Sequence, residues 1–247
     1  MLHAIKRWIH GAAPPAANGW LQVEQWALAR QWVFRGVRES DGFVIEGRTG
    51  VMPWRMEWGP AQRAYIDGFE LRFRAELPVP GELQVLLLNR TLMEAMEKSV
   101  FDQYIEGVQT RIDTEIPPEM RWLVMFPKLS GAELKTLREG FAAVTNSKPW
   151  ARHWLAKSLT PAVLGLQREA VLPLVLMVAR SRLSIRTPLA QPDCTQLERW
   201  FGFFETALRE ARRVAVDESE GSGQTTQPSL WAPSAVPLKK PVGNAIR

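Results

Sequence analysis

Between Phe43 and Leu77 the chain alternates apolar and charged side chains at nearly every step. Phe43, Ile45 and Gly47 interleave with Val44, Glu46 and Arg48. Trp54, Met56 and Trp58 flank Arg55 and Glu57. Leu71, Phe73, Ala75 and Leu77 interleave with Glu70, Arg72, Arg74 and Glu76. A strand turns successive side chains to opposite faces, so a period of two predicts an antiparallel meander with one apolar and one ionic face. Turn chemistry separates its strands: Asp41-Gly42, Gly50 to Pro53, Gly59-Pro60 and Asp67-Gly68. The ionic face carries both signs on neighbouring strands, and cross-strand pairs of opposite charge contribute roughly 0.2–1 kcal/mol each. A slip of one residue would put Trp54 and Trp58 into water, which fixes the register more firmly.

The pattern ahead of the meander predicts a short helix over 20–30 and a first strand over 32–37. After it, Pro78-Val79-Pro80-Gly81 makes a turn and the apolar run 83–88 reads as a buried strand. Asn89 is placed as the N-cap of a helix over 91–105, whose apolar stripe is Leu92, Met93, Met96, Val100 and Tyr104. Alternation resumes over 108–116 and 120–126 on either side of Pro117-Pro118, which predicts a hairpin turning at the prolines. Ser130-x-x-Glu133 is a capping-box pattern and opens a helix with Leu134, Leu137 and Phe141 on its inner face. Two further helices follow, over 149–158 and from Thr160-Pro161 to about 168. A second hairpin spans 174–179 and 183–186. Asp193 then caps a long helix over 194–215 with the stripe Leu197, Trp200, Phe201, Phe204, Leu208 and Ala211. Arg209, Arg212 and Arg213 fall in its final turns, where cations suit the negative end of the helix dipole. Segments 121–127 and 182–188 echo each other as strand, proline and loop before a capped helix, which reads as chance similarity rather than a true repeat.

These elements define an α+β fold: an N-terminal antiparallel meander, then alternating hairpins and helices, a long C-terminal helix and a disordered tail. The expected division is a flexible segment 1–19, a globular region 20–216 that is either one domain or two lobes divided near 78–81, and a tail 217–247. The Ser, Gly, Gln, Thr and Pro content of that tail, with no hydrophobic period, is what makes disorder the expectation.

Composition sharpens this picture in three places. Eleven tryptophans stand against two tyrosines, which suits an indole-filled core or an aromatic contact surface. The net charge of +5 sits wholly on residues 1–216, because the tail's charges cancel. That is too mild by itself to point to nucleic acid. Cys194 is the sole cysteine, so an intrachain disulfide is excluded and a reducing, cytoplasmic location is expected. The longest apolar run, 171–179, is broken by Pro173 and falls well short of the ~20 residues a membrane span requires. The N-terminus lacks the apolar core of a signal peptide.

Candidate chemistry is sparse. His3 and His10 precede the folded region, and His153 sits between Trp150 and Trp154 as a packed helix residue. One cysteine and three histidines cannot supply a Cys/His zinc set. No nucleotide-binding glycine loop, zinc-protease motif or nucleophile elbow is present. Asp113, Glu115 and Glu119 form a carboxylate group beside Arg111, which reads as a charge-balanced strand rather than a cation site. No catalytic residue, metal ligand or cofactor is assigned.

The strongest contact candidates are Arg55, Trp58, Arg63, Tyr65, Arg72 and Arg74. Arginines beside aromatics clamp anionic groups or stack on bases, and the same residues also fit a surface salt-bridge ladder. The leading expectation is a non-catalytic cytoplasmic binding or scaffold protein with a protein partner. The alternatives are a nucleic-acid-binding protein using the Arg-rich sheet face and an enzyme built on carboxylates with His153.

Overall fold

The computed structural model describes residues 20–37, 41–105, 117–167 and 172–222. The expected flexible segment 1–19, the arm 108–116 with Asp113 and Glu115, and everything beyond 222 lie outside them.

Helix α1 (Leu21–Leu28) leads into β1 (Val33–Val37), β2 (Gly42–Thr49), β3 (Met52–Pro60) and β4 (Phe69–Glu76). Then come β5 (Val85–Asn89), α2 (Arg90–Ile105), α3 (Pro118–Met125) and α4 (Gly131–Leu134), which ends in a 3-10 turn, Lys135–Leu137. Strand β6 (Phe141–Thr145), helices α5 (Lys148–Leu155) and α6 (Leu159–Gln167), the hairpin β7 (Val175–Ala179) and β8 (Arg182–Pro188), and α7 (Cys194–Ser222) complete the order. All eight described strands join one antiparallel sheet in the order β1-β2-β3-β4-β8-β7-β5-β6. Residues 78–81 carry the chain from β4 to β5, past the two strands inserted between them.

The register explains the architecture. One row of paired residues crosses the sheet as Phe34, Ile45, Met56, Phe73, Ile185, Leu176, Leu87 and Ala143. It is apolar throughout, and α1, α5, α6 and α7 pack over that face in a single core. The next row belongs to the opposite face: Val33, Glu46, Arg55, Arg74, Ser184, Met177, Leu86 and Val144. It is ionic over the meander and turns apolar after β8. Helices α2 and α3 cover the apolar half with a second core that contains Met93, Met96, Trp122 and Leu123. No described element covers the ionic half. Burying the apolar half and hydrating the charged half lowers the free energy of both, because apolar area gains about 25 cal/mol per Å² on burial while unpaired charge resists it.

Indoles fill the space between meander and α7. Trp54 meets Phe201 and Phe204 at ring-centre distances of 4.9 and 6.3 Å, and Phe204 stacks on Phe73 at 5.0 Å. Gly47 is a glycine because of this packing: a Cβ there would lie 2.4 Å from the Trp54 ring. Asp193 caps α7 as expected, its Oδ1 accepting from the Gln196 N–H at 2.8 Å.

Four expectations are corrected. Residues 120–126 are not a strand but helix α3, with Pro118 at its first turn. Its buried residues, Glu119, Trp122 and Leu123, follow helical spacing, whereas Val124 and Met125 face solvent. The echo between 121–127 and 182–188 therefore fails, since only the second is a strand. Phe141 does not close a helix. The capping box at Ser130 is present, but Lys135 takes a left-handed φ of 53°, the helix stops at the 3-10 turn, and Phe141 begins β6. Asn89 caps nothing: it ends β5, buried, and its Oδ1 accepts from the Leu174 N–H at the entry to β7. Finally, α7 runs to Ser222, so Arg209, Arg212 and Arg213 lie mid-helix, and the expected tail boundary at Asp217 falls inside it.

Candidate functional site

The open half of the second face is where the sequence-predicted arginines meet. Alternation along β3 and β4 points Arg55, Arg72 and Arg74 to one side, and antiparallel pairing sets Arg55 opposite Arg74 and Glu57 opposite Arg72. Glu57 takes all three guanidiniums: Arg74 at 2.7 Å, Arg72 at 3.1 Å, and Arg55 in a close contact. Arg55 also reaches Glu46 at 3.1 Å, and Glu46 reaches Arg35 at 3.3 Å. On the other flank Glu70, fully buried, holds Arg186 of β8, Arg72 at 3.4 Å and the Gln62 N–H at 2.9 Å. Burial alone would raise the Glu57 pKa. The positive field of Arg74, with the Arg55 hydrogen bond and Arg72, outweighs it and holds the carboxyl below its ordinary value.

Arg63 and Tyr65 do something else. Both stand in the β3–β4 loop and both donate to the Glu119 Oε1 of α3, Arg63 at 2.5 Å and the Tyr65 hydroxyl at 2.7 Å. Glu119 is wholly buried there. Burial, then the Glu119 charge, pushes the Tyr65 hydroxyl above its ordinary pKa, so it stays a donor. This triad fastens α3 to the meander and fixes one wall of the open face. Glu119, expected in a carboxylate group with Asp113 and Glu115, is spent on that fastening.

Trp58 is on the wrong face for the cluster. It is buried against Trp20, Phe43 and Phe69, and its Nε1 donates to the Leu189 carbonyl at 2.7 Å. Trp54 is buried on the same side. Strand alternation, which identified both sets of residues, is also what separates them by the thickness of the sheet.

Two hollows mark the open face. One, about 740 Å³, wraps the end of the meander, from Glu46, Arg55 and Arg74 on this face to Arg30, Trp32 and Trp54 on the other. The other, about 490 Å³, runs along the boundary with α3. Nine arginines and three glutamates, Glu46, Glu57 and Glu76, line the pair. A guanidinium offers five N–H donors, so the ladder leaves donors on Arg55 and Arg74, which are 40% and 47% exposed, free for an outside acceptor. The ladder thus presents guanidinium donors on a floor of hydrogen-bonded sheet.

Sequence reasoning missed Arg121, Arg180, Arg182 and Arg186, which complete this surface. Arg182, Ser184 and Arg186 alternate with Leu183 and Ile185 in the meander's own pattern, and that shared alternation was the available signal. His153 is exposed on α5, on the other side of the sheet, where its carbonyl accepts from Arg213 at 2.8 Å. Cys194 opens α7, partly buried against the first core. Among the described residues no group of His, Cys, Asp or Glu is arranged to hold a metal ion, and no described helix is long and apolar enough to cross a membrane.

No family model matches the chain, and no curated protein matches it. Among solved structures, the mycobacterial trehalose monomycolate transport factor A, TtfA, overlaps with 80% of this chain and 94% of its own at a TM-score of 0.44 and 7% identity. An overlap this loose assigns neither fold nor role.

Proposed function

We propose that this protein works by binding rather than catalysis, in the cytoplasm, and that its contact surface for an anionic partner is the open half of the sheet. Arg55, Arg72 and Arg74 are its centre. The observation that carries this is the half-covered face: one continuous sheet whose apolar half is roofed by α2 and α3 while Arg55, Arg72, Arg74, Arg182 and Arg186 stand on the half that no described element covers. The surface is broad and shallow, its guanidiniums are pre-oriented by Glu46 and Glu57, and holding donors in place before contact lowers the entropic cost of association. Arg63 and Tyr65 belong to the reading as residues that position α3, and Trp58 as core.

The test is a titration of the full chain with polyglutamate at several salt concentrations. The double variant R55Q/R74Q keeps the strand pattern and removes two exposed charges. The parent binds with affinity that falls as salt rises, and the variant binds about tenfold more weakly with a shallower salt dependence. Equal binding by parent and variant rejects this surface.

A further inference from the structure

The hollow beside α3 differs from the rest of the open face. It lies where the ionic rows of the second face turn apolar. Its floor carries Arg72 and Arg186, and its α3 wall and far floor carry Trp122, Met125 and Met177. Met125 is 68% exposed although it is a large apolar side chain. Six arginines line the hollow against one glutamate, Glu57. Two of the six, Arg121 on α3 and Arg180 in the β7–β8 turn, have no carboxylate partner among the described residues, while Arg72, Arg74, Arg182 and Arg186 each have one.

Arg180 is also in an unusual backbone state. The turn between Ala179 and Arg182 has two residues, Arg180 and Ser181, with φ of 51° and 55°. Two positive φ values in a two-residue hairpin define a type I′ turn, which favours Asn, Asp and Gly. Ser181 has local work to do, since its hydroxyl donates to the Val79 carbonyl at 2.8 Å and its own carbonyl accepts from Leu77. Arg180 has none: its side chain is exposed and borders the hollow. A residue that the turn disfavours, kept where its guanidinium overhangs a basic hollow, points to a ligand outside the fold.

Taking the open face as the contact surface, we propose that this hollow seats an extended acidic segment of a partner protein. Its carboxylates meet Arg121 and Arg180, and the apolar side chain between them lies against Trp122, Met125 and Met177. An extended chain alternates its side chains, which lets acidic and apolar residues take turns against a hollow that offers both guanidiniums and apolar atoms. Single-stranded nucleic acid is served by exposed aromatic platforms beside the cations, whereas the rings that line this hollow, Phe73 and Trp122, are buried, at 0% and 7% exposed. An acyl chain needs an apolar hollow, whereas six guanidiniums line this one.

The experiment uses the full chain and a fluorescein-labelled peptide of alternating Glu and Leu, read by anisotropy. The same peptide with Gln for Glu, oligothymidylate, and phosphatidylglycerol vesicles serve as competitors. The expected result is that R121Q and R180G each weaken the Glu–Leu peptide about tenfold, and that none of the three competitors displaces it. R180G, which suits the turn better than arginine, melts at or above the parent's temperature, so its loss of affinity is not a loss of fold. Failure of the parent to bind the peptide overturns the proposal. So does unchanged affinity in R121Q and R180G; if R55Q/R74Q still abolishes binding in that case, the open face stands and only this seat falls. Full displacement by oligothymidylate or by vesicles means a general polyanion surface and also overturns it. Loss of binding in R180G with R55Q/R74Q unaffected keeps the seat and removes the meander from the contact surface.

Discussion

Glu57 decides how the meander's charges are held. Three guanidiniums converge on one carboxylate that is only 12% exposed, and their field more than offsets what burial would do to its pKa. A carboxyl whose folded pKa lies below its unfolded value contributes stability above the unfolded value, about 4.3, and loses it as pH falls through the folded one. Acid therefore unzips this ladder. The expected outcome is that the parent's unfolding midpoint in urea drops steeply below about pH 4, and that Glu57→Gln is less stable at pH 7 but has a flatter acid limb. Parallel limbs for parent and variant would show that Glu57 does not carry the acid dependence. The sequence announced this residue well, because opposite charges on adjacent alternating runs are a local pattern. It announced Arg63 and Tyr65 less well. Both sit in a loop with no period, and their partner Glu119 is far along the chain, so nothing nearby says that they face a buried carboxylate.

At the scale of elements, legibility followed how many constraints each segment carried. The meander strands combined alternation, turn residues and paired charges, and all were readable. Helix α7 had a cap, a stripe and length. Only its end was misplaced, because polar composition after Asp217 reads as tail whereas the helix runs to Ser222. Helix α3 was misread because Met120, Trp122, Val124 and Phe126 fit a period of two as well as Glu119, Trp122 and Leu123 fit a helix. A buried Glu is counted as polar by any pattern, which hid the helical stripe. Strand β6, with two alanines among its five residues, carries little signal of its own and exists because β5 offers it an edge. The Glu119 fastening gives α3 a test. Removing one partner from a buried ion pair leaves the other uncompensated at about 3–5 kcal/mol, less here because Arg63 is 20% exposed. Glu119→Gln is expected to lower stability by about 2 kcal/mol. Hydrogen exchange is expected to quicken first in α3 and residues 61–68, while β3 and β4 keep their protection. Uniform quickening across the sheet would mean that the triad does not act as a local fastener.

The molecule as a whole is one sheet whose first face is apolar from edge to edge and whose second face changes character midway. That change was invisible in the sequence. It depends on β8 pairing with β4 and on β7 and β5 lying beyond, contacts between residues as far apart in the chain as Leu88 and Val175 or Glu70 and Pro188. Once the order is known, the open ionic half and its apolar border follow from alternation alone. The account stands on that half being where a partner sits, and arginine-selective labelling of the full chain with phenylglyoxal, read residue by residue by mass spectrometry, tests it most directly. In the free protein, Arg55, Arg74, Arg121 and Arg180 should react readily while Arg63, Arg72 and Arg186 are spared. Added polyglutamate should protect the first group and leave Arg152 and Arg209, on helices α5 and α7 across the sheet, as reactive as before. Protection that falls on Arg152 or Arg209 and spares the four would contradict the account.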